Sequence, residues 1–155
     1  MLAADHPADP ELRLVQAKAA FNLMNNLGAG EPAVARALYD DLRVLAADHP
    51  TEPELRLEQA CAAFNLITDL RAGDPGAARA LYDELRVLAA GHPAEPELRL
   101  VQAQAAFDLI YDLVAGEPAV AGVLFDELRA LAADHPSAPG LQEVVARAEA
   151  VFPRR

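Results

Sequence analysis

The stretch Pro53–Pro93, PELRLEQACAAFNLITDLRAGDPGAARALYDELRVLAAGHP, decides the fold, because it reads as two helices with marked ends and recurs on either side of itself. Pro53 and Pro75 each suit the first position of a helix, where a missing N–H removes no bond. Glu52 and Asp74 stand just before them, so each helix starts with a carboxylate near the positive end of its dipole. Gly73 is expected to close the first helix in a left-handed conformation, and Pro93 bars continuation of the second. The spacing predicts about 20 residues of helix A, a two-residue turn, about 16 residues of helix B and a connector of about five.

Working outward, Leu2–Val44, Leu45–Val87 and Leu88–Ala130 are near copies of one 43-residue block, and residues 131–155 form a shortened fourth. A period between 20 and 50 residues is the mark of a solenoid, in which each unit leaves an apolar face for its neighbour to cover. The punctuation repeats with the block. Pro10, Pro53, Pro96 and Pro139 open helix A, Pro32, Pro75 and Pro118 open helix B, and Gly30, Gly73 and Gly116 fall between the two. Asp9, Glu95, Glu31 and Glu117 repeat the carboxylate before the proline. The expected chain is therefore an all-α solenoid of three helix pairs in one domain, ending in a capping helix from Pro139 to Phe152. That last helix carries Glu143 where the earlier copies have Leu14, Leu57 and Leu100, and adds Arg147 and Glu149, as a polar cap does.

Composition narrows the functional classes. Hydrophobic residues make up 53% but aromatics only 5%, a balance suited to closely packed, alanine-rich helices. The net charge of −11 arises from 24 acidic against 13 basic residues, of which Lys18 is the one lysine. Nucleic-acid binding needs clustered Lys and Arg, so it is not expected. The single cysteine, Cys61, excludes an internal disulfide. No apolar run reaches the length of a membrane span and the N-terminus lacks an export pattern, so a cytoplasmic protein without a membrane partner is expected.

The same blocks resemble tetratricopeptide repeats. In block two the resemblance falls on Gly73 and Asp74 in the turn, Ala78 and Tyr82 in helix B, and the terminal Pro93; block one offers Ala35 and Tyr39, and block three Ala121 and Phe125. In helix A it falls on Phe21, Asn22 and Leu23, on Phe64, Asn65 and Leu66, and on Phe107, Asp108 and Leu109. The unit exceeds the family's length of about 34 residues, and Met24, Ile67 and Ile110 replace its usual helix A glycine. The resemblance implies a right-handed solenoid whose A helices line a concave groove for a peptide or protein segment, without catalysis and without a cofactor.

Differences between the three copies fall mainly on one stripe of helix A. Val15, Lys18, Asn22 and Asn25 become Glu58, Cys61, Asn65 and Thr68, then Val101, Gln104, Asp108 and Tyr111. At i, i+3, i+7 and i+10 these positions lie within an arc of about 80°. With Phe21, Phe64 and Phe107 as an apolar floor, the stripes make a candidate peptide-binding surface of amides, acids and one tyrosine. Drift of an exposed face after duplication would give the same stripe. With Lys18 as its one lysine or arginine, the surface is expected to favour neutral or basic segments over acidic ones.

Other signals carry less. His6, His49, His92 and His135 recur every 43 residues, but equivalent positions in stacked helices sit about 10 Å apart, too far to share a metal, so a connector role is expected. Cys61 has no repeated base or orienting group, and no nucleophile elbow or phosphate loop occurs, so an enzyme is not expected. A different reading, a structural spacer that associates end to end, rests on Leu12, Leu14, Leu23 and Leu27 of the first helix A, which has no polar cap before it.

Overall fold

Six helices begin on a proline. A computed structural model of the chain describes residues 9–152; the expectation for His6 lies outside them. Among the described residues there are seven α-helices and no strand: α1 (Pro10–Leu27), α2 (Pro32–Asp48), α3 (Pro53–Leu70), α4 (Pro75–Gly91), α5 (Pro96–Leu113), α6 (Pro118–Asp134) and α7 (Leu141–Val151). The protein is all-α. A helices run to 18 residues and B helices to 17, against the 20 and 16 expected. Each turn within a pair spans four residues, not two, as Arg71 to Asp74 between α3 and α4 illustrates.

Three local expectations need correction. Gly30, Gly73 and Gly116 are not left-handed; among the described residues positive φ occurs at Gly28 and Gly140 alone. The A helices α3 and α5 end through right-handed residues, Arg71 and Val114, and their turns close by bonds from Asp74 N to Leu70 O (2.7 Å) and from Glu117 N to Leu113 O (2.7 Å). Pro139 does not open the last helix. Gly140 intervenes at φ 82°, where its missing side chain leaves room for Leu100: a Cβ there would lie 3.0 Å from Leu100 Cδ1. The helix therefore starts at Leu141. Of the six carboxylates before the prolines, Asp9 and Asp74 cap their own helices by accepting from Glu11 N (2.9 Å) and Ala77 N (3.0 Å). Glu52 and Glu95 turn elsewhere.

Their partners are arginines of the preceding A helix. Arg13 Nε donates to Glu52 Oε1 (3.0 Å) and Oε2 (3.3 Å), and Arg56 Nε to both Glu95 oxygens (3.1 Å each). Arg56 Nη1 also donates to the carbonyl of Pro50, so one guanidinium ties the connector before its own helix to the connector before the next. Each Glu is itself held in its turn, Glu52 N donating to His49 O and Glu95 N to His92 O. The connector histidines have the loop role expected of them: His49, His92 and His135 cap the B helices through their backbone N–H.

Packing repeats in the same register. Each A helix packs on its own B helix and on the next A helix, and each B helix also packs on the next A helix; the backbones of the B helices α2, α4 and α6 stay apart, and these helices meet through side chains. Consequently α3 is covered on both flanks, with Leu55, Ala60, Ala62, Ala63, Leu66 and Ile67 all at most 1% exposed. Burying a leucine in this way contributes about 1.5–3 kcal/mol, and alanine lets neighbouring helix axes approach closely. At the N-terminal end the counterparts are uncovered: Leu23 is 48% exposed where Leu66 is buried, and Ala19 is exposed where Ala62 and Ala105 are buried.

This difference yields a test within one chain. Ala62→Leu and Ala105→Leu are expected to cost about 1–3 kcal/mol by overpacking, whereas Ala19→Leu should stay within about 0.5 kcal/mol. Urea unfolding of the three variants measures both; equal losses at all three positions would contradict the packing described.

Candidate functional site

The surface built by α1, α3 and α5 follows from two facts about each A helix. Alanines and larger apolar residues at repeated positions turn inward, so Ala17, Met24, Ala60, Ile67, Ala103 and Ile110 are all buried. The residues that differ between copies are left on the outside. Val15, Lys18, Asn22, Asn25, Thr68 and Tyr111 are exposed, while Glu58, Cys61, Asn65, Val101, Gln104 and Asp108 are partly exposed. Phe21, Phe64 and Phe107 sit half-buried, packed on the core beneath.

Neighbouring stripes touch. Asn65 Nδ2 donates to Asn25 Oδ1 (2.6 Å), joining α3 to α1, and Thr68 Oγ1 lies 3.5 Å from Asp108 Oδ2, joining α3 to α5. Thr68 Oγ1 also donates to the carbonyl of Phe64 in its own helix (3.1 Å). Tyr111 leans over the floor residue Phe107, their ring centroids 6.4 Å apart. Lys18, Cys61 and Gln104 make no such contact between stripes.

Two arginines join this surface that the sequence reading left out. Arg71, in the turn after α3, donates to the carbonyl of Asp108 (3.3 Å) and pairs with Asp108 Oδ2 (3.8 Å) and Asp112 Oδ2 (3.4 Å). Arg147 of α7 lies over the Phe107 ring, 4.4 Å from its centroid. Both were within reach of the comparison between copies. Arg71 stands where the other blocks have Gly28 and Val114, and Arg147 continues the register of Lys18, Cys61 and Gln104 into the fourth block.

Burial and the nearby Asp112 raise Asp108 above its ordinary value of 3.8, against the opposing pull of Arg71. Burial and Glu58 likewise push the Cys61 thiol up, which keeps it protonated and a poor nucleophile at neutral pH. Among the described residues no three His, Cys, Asp or Glu side chains gather as a metal-ligand set, and no helix is long and apolar enough to cross a membrane. Comparison of the chain with protein-family models, with curated proteins and with solved structures returned no match.

The shift on Asp108 has a definite sign. A carboxyl whose folded value is raised loses stability as pH climbs from its unfolded value through the folded one. Asp108→Asn keeps an acceptor for Thr68 and Arg71 while removing the charge. Its melting temperature should exceed that of the parent by a few degrees at pH 7, and the gain should vanish at pH 3, where the aspartate is protonated in both states. Thermal scans at the two pH values check this, and a variant less stable at pH 7 would reverse the sign.

Proposed function

We propose that the chain is a non-catalytic scaffold, a right-handed solenoid of the tetratricopeptide kind that holds a segment of a partner protein along the joined faces of α1, α3 and α5. The observation that carries this reading is the coincidence of three properties in one patch. Its positions differ between copies, they are accessible to solvent, and they are contiguous across helices through Asn25–Asn65 and Thr68–Asp108. A helices whose backbones pack on one another, beside B helices whose backbones stay apart, favour a surface curved toward the A side. Amides at Asn22, Asn25, Asn65 and Gln104 suit an extended backbone, and Tyr111 an apolar anchor.

Charge favours a neutral or basic segment. Arg71 is matched by Asp108 and Asp112, and Arg147 is spread over Phe107, which leaves Lys18 as the patch's remaining cation within a chain of net charge −11. Thr68 is an exposed position within the patch. A photo-crosslinker placed there should capture a protein segment from lysate, and the quadruple variant Asn22→Ala, Asn65→Ala, Asp108→Ala, Tyr111→Ala should lose capture and at least tenfold in affinity for the isolated segment, about 1.4 kcal/mol. Identical capture by both proteins would sink the reading.

A second reading, an end-to-end spacer, draws on the uncovered N-terminal face of α1 and α2, where Leu23 and Val34 are 48% and 45% exposed. Light scattering decides it. A mass that rises with concentration in the parent and stays monomeric in Leu23→Glu would favour the spacer, and a monomer throughout would remove it.

A further inference from the structure

The arginine fork repeats in three blocks, but its acceptor repeats in two. Arg13, Arg56 and Arg99 occupy one register of the A helices, and Arg99 Nη1 donates to the carbonyl of Pro93 as Arg56 does to Pro50. At the next connector, where Glu52 and Glu95 stand in the earlier blocks, the third block has Ala138. Arg99 Nε is accordingly buried with no acceptor among the described residues. The side chain is also more open than its counterparts: Arg13 and Arg56 are 7% and 8% exposed, whereas Arg99 is only partly buried. A cleft of about 220 Å³ opens onto it, lined in part by Arg86, Gln102 and His135. Of the two arginines there, Arg86 is already met by Glu127 (3.2 Å) and Asp83 (3.6 Å).

A buried guanidinium N–H without an acceptor is costly, and the same side chain in the same register shows twice what satisfies it. We propose that Arg99 is a receptor for a carboxylate that the third block does not itself supply. The class follows from the geometry of its siblings, in which Arg56 Nε faces both oxygens of Glu95 at 3.1 Å, an arrangement that suits a planar two-oxygen acid. The carboxylate comes from a small free acid or from the acidic side chain of a bound segment. This site lies at the connector edge, away from the patch on α1, α3 and α5, and stands or falls apart from the reading of that patch.

The test follows the arginine Nε–H signals of the full chain by NMR, with the Arg99 signal assigned through Arg99→Gln. Sodium acetate is titrated against sodium chloride of equal ionic strength, followed by an end-blocked tetraglutamate peptide. Acetate should move the Arg99 signal saturably and leave that of Arg56 in place. A matching shift at a tenfold lower concentration of peptide assigns the site to an acidic segment, and a response to acetate alone assigns it to a small acid. Ala138→Glu supplies the carboxylate from within, so its Arg99 signal should move to the position of Arg56, cease to respond to acetate, and accompany a melting temperature a few degrees higher. Arg99→Gln, which retains the fold without the fork, should melt at the same temperature with acetate as with chloride. A wild-type Arg99 signal that stays fixed, or drifts linearly with those of exposed arginines, overturns the proposal, as does an Ala138→Glu chain that still titrates.

Discussion

A helix pair of this kind is apolar on two flanks and can cover only one of them. Leu55, Ala62 and Leu66 of α3 are buried because α1 and α2 lie against them, and the far side of the same helix is buried by α5. Every other feature depends on that need for a neighbour. Alanine is favoured because the A helices must approach closely. The contact must also keep its register, or each leucine would face the wrong gap. The Arg13–Glu52 and Arg56–Glu95 forks meet this requirement, since each fixes the start of one A helix against the start of the next.

The forks carry a pH dependence through their acids. The hydrogen bond from Arg13 holds Glu52, and that from Arg56 holds Glu95, below the ordinary carboxylate value. A lowered folded value means the contribution is present above the unfolded value and fades as pH falls through the folded one. Asp108 on the open A side has the opposite shift. Acid therefore loosens the joints between units while relieving a strain on the exposed face, so the two surfaces answer the same titration in contrary ways.

How much of this was legible beforehand depends on whether the signal was local. Proline at the first helical position is a constraint on one residue, and the starts of α1 to α6 fall where the prolines stand. The start of α7 is not legible locally, because Pro139 looks like its predecessors while the deciding contact, Gly140 against Leu100, joins residues 40 apart. The forks were invisible for the same reason: Glu52 beside Pro53 reads as a helix-start acid, and nothing nearby says that Arg13 will claim it. The variable stripe was legible because three copies in one chain reveal which positions are free to change. Arg71 lies one residue past its helix, outside the helical stripe, although it too differs among copies.

Successive B helices differ from successive A helices in how they meet. Its A helices form an apolar spine, while α2, α4 and α6 stand apart and are linked by side chains: Tyr39 to Glu84 at 3.0 Å, Arg36 to Glu84 at 3.6 Å and Arg86 to Glu127 at 3.2 Å. Tyr39 is buried, whereas the two ion pairs lie partly open to solvent. Ion pairs at a surface weaken as salt shortens the Debye length, about 10 Å at 0.1 M. The ionic strength of the surroundings therefore reaches the two ion pairs between successive B helices and leaves the buried Tyr39 bond and the alanine seam between the A helices untouched.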